Sequence, residues 1–158
     1  MPRRYTVSEP NFAITAASDL IQIKNGSASA KLVRIIRWWW KPTDNSLATA
    51  QVLMTRCSRL PATVTDGSGG ATPTPRPFDG GDTAATFTAL SRNTTKASTS
   101  GTAAILDEAG AHIYNGYEQQ PEEPIEIAPG QSFVFELTSA AVQGTVKVSA
   151  GVEVEEIG

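Results

Sequence analysis

Residues 144–156, GTVKVSAGVEVEE, alternate strictly: Val146, Val148, Ala150, Val152 and Val154 are apolar, and Lys147, Ser149, Gly151, Glu153 and Glu155 lie between them. Successive side chains of a strand point to opposite faces, so this run reads as a half-buried antiparallel strand. The same period recurs upstream. In APGQSFVFELTSA, residues 128–140, a Pro-Gly turn is followed by Phe133, Phe135 and Leu137 at every second position. These two runs, joined through Ser139-Ala-Ala-Val-Gln-Gly, are expected to pair with each other. Further strands are expected at 12–15, 19–24, 30–41, 49–59, 83–92, 101–106 and 124–127, and Asn25-Gly-Ser is a hairpin signal between the second and third of them. Helix is confined at most to a turn over 103–109. About eight short strands separated by turn residues point to an all-β antiparallel sandwich or barrel, in one domain spanning residues 1–158.

One connection breaks this rhythm. DGSGGATPTPRPFDGGD, residues 66–82, is too rich in glycine and proline to hold a ladder and too long for an ordinary hairpin. It reads as a long loop, either a disordered insertion or an arm that orders against a neighbour, with Phe78 favouring the arm. Residues 1–11, which include Arg3, Arg4 and Tyr5, read as an extended N-terminal arm.

RIIRWWWKPTDN, residues 34–45, sets three tryptophans in a strand. Unbroken alternation puts Leu32, Arg34, Ile36, Trp38 and Trp40 on one face and Lys31, Val33, Ile35, Arg37, Trp39 and Lys41 on the other, although a bulge would exchange the faces. Both faces mix large apolar side chains with arginine. Three accounts stay open: one face in the core and the other in a subunit interface, the other face shielded by the chain's own loops, or a sugar-stacking platform on Trp38 or Trp40. Aromatics with arginine are what protein interfaces enrich.

Charge excludes and divides. The net charge of −3 does not favour nucleic acid, and no apolar run approaches the roughly 20 residues of a membrane span. No secretion signal is legible at the start, so a soluble, cytoplasm-made protein is expected. Residues 1–79 carry 10 Lys/Arg and 5 Asp/Glu, a net of +5, whereas residues 80–158 carry 3 and 11, a net of −8. Either solvated faces happen to segregate, or basic and acidic surfaces meet between subunits.

Catalytic chemistry finds little support. His112 is the one histidine and has no nucleophile motif beside it; Cys57, the one cysteine, sits in a strand as a small apolar residue. Glu118, Glu122, Glu123 and Glu126 form an acidic run that a hydrolase reading would have to use. Asp79 and Asp82 offer oxygen ligands to a cation but lack the alternation of a dedicated calcium loop. No cofactor and no metal are expected.

Taken together, YTVSEPNFAITAASDLIQIKNGSASAKLVRIIR, PFDGGDTAAT, PEEPIEIAPGQSFVFELTSA and VSAGVEVEE resemble the small jelly-roll proteins encoded beside capsid genes in tailed bacteriophages. The resemblance covers most of the chain in the order of its elements and rests on no short diagnostic motif. It implies a jelly-roll-like sandwich that acts without an active site, as a head decoration or cement protein. Such a protein sits as a homotrimer on the outer capsid surface of the virion, is assembled in the host cytoplasm, and clamps neighbouring subunits of the major capsid protein. The tryptophan triplet and the long loop carry no part of the resemblance. From the residues themselves, Arg3, Arg4, Tyr5, Arg37, Trp38, Trp39, Trp40, Arg76 and Phe78 are the candidates for a subunit or capsid interface. A glycan-binding or fibre-tip domain is the alternative.

Overall fold

A computed structural model describes every residue except Asn45, Leu47, Ala62, Ala140 and Ala141. Thirteen strands are assigned and no helix among these residues. Sheet A runs in the order β10 (Tyr117–Gln119), β3 (Leu32–Asp44), β13 (Val146–Ile157), β1 (Arg3–Ile14), β6 (Arg76–Pro77), and β11 (Ile125–Ile127) also pairs with β3. Sheet B runs β7 (Thr88–Asn93), β2 (Ser18–Lys24), β12 (Ser132–Leu137), β4 (Val52–Leu60), β9 (Ala104–His112). A two-stranded ribbon of β5 (Val64–Thr65) and β8 (Ser98–Thr99) completes the set.

The pairing is nested. β1 pairs with β13, β2 with β12, β3 with β10 and β11, and β4 with β9, all antiparallel. This is one long hairpin rolled up so that alternate arms fall in opposite sheets, which is the jelly-roll arrangement. Rolling brings β13 beside β3 and β12 beside β4, so each of these strands is hydrogen-bonded on both sides.

The expected pairing of 128–140 with 144–156 is therefore corrected. β12 lies inside sheet B and β13 inside sheet A; of the six-residue connection expected between them, Ala140 and Ala141 fall outside the described residues. Asn25-Gly-Ser is no hairpin either. The Asn25 amide donates to the Gln131 carbonyl and its side chain donates to the carbonyls of Lys31 and Ile127, so this corner is tied to the turn before β12 while the chain crosses to the other sheet. The turn expected over 103–109 is strand β9, which supplies the ladder that β4 would otherwise lack.

The core lies between the sheets. Val146, Val148, Ala150, Val152 and Val154 of β13 are fully buried, as their alternation requires, and they face Phe133, Phe135 and Leu137 of β12. Trp38 packs on Phe133 with ring centroids 5.6 Å apart.

Residues 63–103, which precede β9, close one flank of the sandwich. β7 extends sheet B beyond β2, and β6 extends sheet A beyond β1. The segment 66–82 joins these two edges along the chain's own surface: the Gly67 amide donates to Gln22 Oε1, Ala71 exchanges backbone bonds with Ser91, and the Phe78 amide donates to the Arg4 carbonyl. It is thus no free insertion: its backbone is held along the chain's own edges, while the Phe78 ring stays exposed. At Gly70 the backbone crosses β7 so closely that a Cβ would stand 1.9 Å from the Ser91 carbonyl oxygen, which explains the glycine at this position. The N-terminal arm is corrected too, since residues from Arg3 onward form β1, ten of whose positions pair with β13.

Candidate functional site

The tryptophan strand changes phase partway along. Ile35 stands opposite Val154 and Arg37 opposite Glu153, so Ile36 is an extra residue, a β-bulge. Before the bulge Val33 and Ile35 face the core; after it Trp38 and Trp40 do. Both rings are at most 2% exposed. They are interior side chains, and neither serves as a sugar platform or an interface contact. Tyr5, also 0% exposed, joins them in the core, where its hydroxyl donates to the Thr83 carbonyl and burial pushes its pKa up.

Trp39 takes the outer face of sheet A and is half-buried there by its own sheet. Its cross-strand neighbour is Gly151, and the indole lies over the space a side chain would fill, with the Arg37 guanidinium 5.2 Å from the ring centroid. Of the three accounts of the triplet, shielding by the same chain describes Trp39, although a neighbouring strand supplies it and not a loop.

The charge division along the sequence also resolves within the chain. Arg37 pairs with Glu118 at 2.8 Å and with Glu153; Arg34 pairs with Glu126 at 2.8 Å; Arg4 approaches Glu155 at 3.5 Å; Lys31 reaches the buried Glu156 at 2.8 Å. Nested pairing sets N-terminal strands against C-terminal ones, so the basic half and the acidic half neutralise each other across the ladders. Hydrogen bonding from Arg37 holds Glu118 below the usual glutamate range. The acidic run is consequently split: Glu118 and Glu126 are engaged by arginines, and Glu122 and Glu123 are exposed on the turn between β10 and β11. Cys57 is buried, its thiol pushed up to about 12 by desolvation. The ring of His112 lies 4.9 Å from that of Tyr114.

Four of the interface candidates come together at the β1/β6 edge. Arg3 donates to Thr83 Oγ1 at 2.5 Å and pairs with Asp82 at 3.6 Å; Arg76 stands opposite Thr6; Phe78 is fixed to the Arg4 carbonyl by its amide. Phe78 is 60% exposed, and the Arg4 side chain 59%. Asp79 accepts from the Gly81 amide, so both aspartates of this turn have protein partners. A concavity of about 500 Å³ opens here between Met1, Arg3, Arg4, Phe78 and Glu155. Met1 and Glu155 were not legible as members of this site, because only the β1–β13 register and the return of β6 bring them beside Phe78.

No family model matches the chain, and no curated protein matches it. Among solved structures, a chain titled "Structure of infectious bursal disease virus Gx strain" matches at 17% identity with a TM-score of 0.16. The match covers 99% of this chain and 42% of that one, so this chain spans about two fifths of that protein's length; the likeness is too slight to carry an argument.

Proposed function

We propose that the protein is a non-enzymatic structural protein, a bacteriophage head decoration protein that docks on the outer capsid surface as a trimer and stabilises the head. The observation that carries this reading is Phe78 at the β1/β6 edge: an aromatic ring 60% open to solvent, yet held by the backbone bond to Arg4 and flanked by Arg3, Arg4 and Met1. Rigid aromatic and arginine side chains on a preformed edge are the usual anchors of a protein interface. The jelly roll supports the reading as the fold that the sequence resemblance implies. The engagement of Glu118 and Glu126 by arginines and the burial of Cys57 leave little for a hydrolytic or thiol mechanism to use.

The test is sedimentation with heads assembled from the major capsid protein of the same genome, alongside the solution mass by light scattering. The expected result is a trimer that sediments with heads, and a Phe78→Asp variant that stays folded while losing at least about tenfold in affinity. A wild-type monomer that stays in the supernatant overturns the reading.

A further inference from the structure

A groove of about 220 Å³ crosses the outer face of sheet B, lined by residues separate from those of the β1/β6 edge. Leu60, Ile105 and Val134 give it an aliphatic surface, and residues 97–99 line it as well. Asp19, Arg56 and Glu136 supply its charged groups.

Asp19 is 1% exposed. Its Oδ2 accepts from the Ala97 amide at 2.7 Å and from Asn93 Nδ2 at 3.4 Å, but its Oδ1 is buried with no hydrogen-bond partner. A buried carboxylate oxygen left this way is costly, so the position calls for a donor. The charged groups around it are Glu136 on β12, Lys96 after β7, Arg56 on β4 and Glu108 beyond it on β9; the segment at Gly67, which packs on the Asp19 carboxylate, brings Asp66, already paired with Lys24 at 2.6 Å. Lys96 is bound by Glu136; Arg56 is bound by Glu108 at 2.6 Å and Glu136 at 3.8 Å. Three carboxylates thus share two cations, and Asp19 forms no ion pair among the described residues.

We infer that this groove binds a primary alkylammonium group, its ammonium completing the unpaired Asp19 end and its alkyl chain lying on Leu60, Ile105 and Val134. An ammonium brings three donors and one charge, which matches an orphaned acceptor in a cluster one cation short. A divalent metal ion would need more oxygen ligands than Asp19 and Glu136 provide beside two resident cations. Burial raises the Asp19 pKa to about 6, so the bound ammonium competes with a proton and binding weakens as pH falls below that value. The chemistry is shared by a lysine side chain of a protein partner and by a free diamine.

The test is an NMR titration of the full chain with n-butylammonium, diaminobutane and n-butanol. Butylammonium is expected to shift the amides of Ile105 and Val134 with a Kd on the order of millimolar, as suits five heavy atoms. Equal affinity for the diamine assigns the site to a lysine side chain, and a diamine at least about tenfold tighter assigns it to a free diamine. Asp19→Asn should weaken butylammonium at least about tenfold. Ile105→Lys, at a rim position 54% exposed, should abolish binding by delivering its own ammonium. No shift at either amide, an affinity unchanged in either variant, or butanol binding as tightly as butylammonium overturns the inference.

Discussion

The indole of Trp39 covers Gly151, its cross-strand neighbour on the outer face of sheet A, so closely that a Cβ at Gly151 would lie 2.3 Å from Cζ2 of the ring. A glycine inside a strand weakens it, and an aromatic ring laid across the gap restores the lost burial. The pair also explains how Gly151 is buried on the face that carries Glu153 and Glu155. Gly151→Ala should cost about 1–3 kcal/mol by urea unfolding, since the ring has to move off the strand. The same substitution in a Trp39→Ala background should cost markedly less, and the difference is the coupling energy of the pair. Additive costs would show that the two residues act independently.

Adjacent tryptophans should differ sharply. Trp38→Ala removes a side chain that is 2% exposed and packed on Phe133, and should destabilise by about 3–5 kcal/mol. Trp39→Ala removes a half-buried ring from the outer face and should cost no more than about half of that. Equal losses in denaturant midpoints would contradict the inward placement of Trp38 and the outward placement of Trp39.

Asp19 makes stability depend on pH in an unusual direction. Burial raises its folded pKa from 3.8 to about 6, so between those values the folded state takes up a proton that the unfolded state does not. Stability contributed by this group is full below about pH 4 and lost as pH rises through about 6, a swing on the order of 2–3 kcal/mol. Asp19→Asn should flatten that segment of the curve and raise stability at pH 8. A wild-type unfolding free energy whose slope between pH 4 and 6 is the same in Asp19→Asn would count against it.

Cys57 should be inert while the protein is folded. It is buried, and its thiol is pushed up to about 12, so almost no thiolate exists near neutral pH. Labelling by iodoacetamide should proceed only through unfolding and accelerate with urea in step with loss of structure. Rapid labelling in the absence of urea would show that sheet B opens locally at β4.

Much of the architecture was legible because strand alternation is a local property. The inward sets of β12 and β13 follow from side-chain period alone, and all eight named residues are buried. Alternation fails where one residue is inserted: unbroken period two set Val33 and Ile35 opposite Trp38 and Trp40 and left open which face is core, whereas the bulge at Ile36 puts all four on the core face. Of the interface candidates, Arg3, Arg4, Arg76 and Phe78 share an edge, whereas Tyr5, Trp38 and Trp40 are core.

By itself the sequence determined an all-β sandwich, the core faces of β12 and β13 and an opposition of basic and acidic halves, since composition and period-two patterning act through neighbouring residues. Only the tertiary structure decided which strands meet. Pairing is a long-range choice, made when each strand finds the partner that buries its apolar face and satisfies its backbone. Here that choice rolled the chain so that Arg34 and Arg37 lie against Glu126, Glu118 and Glu153 within one molecule. It also folded residues 66–82 back along the chain's own edges, leaving Phe78 beside Arg4.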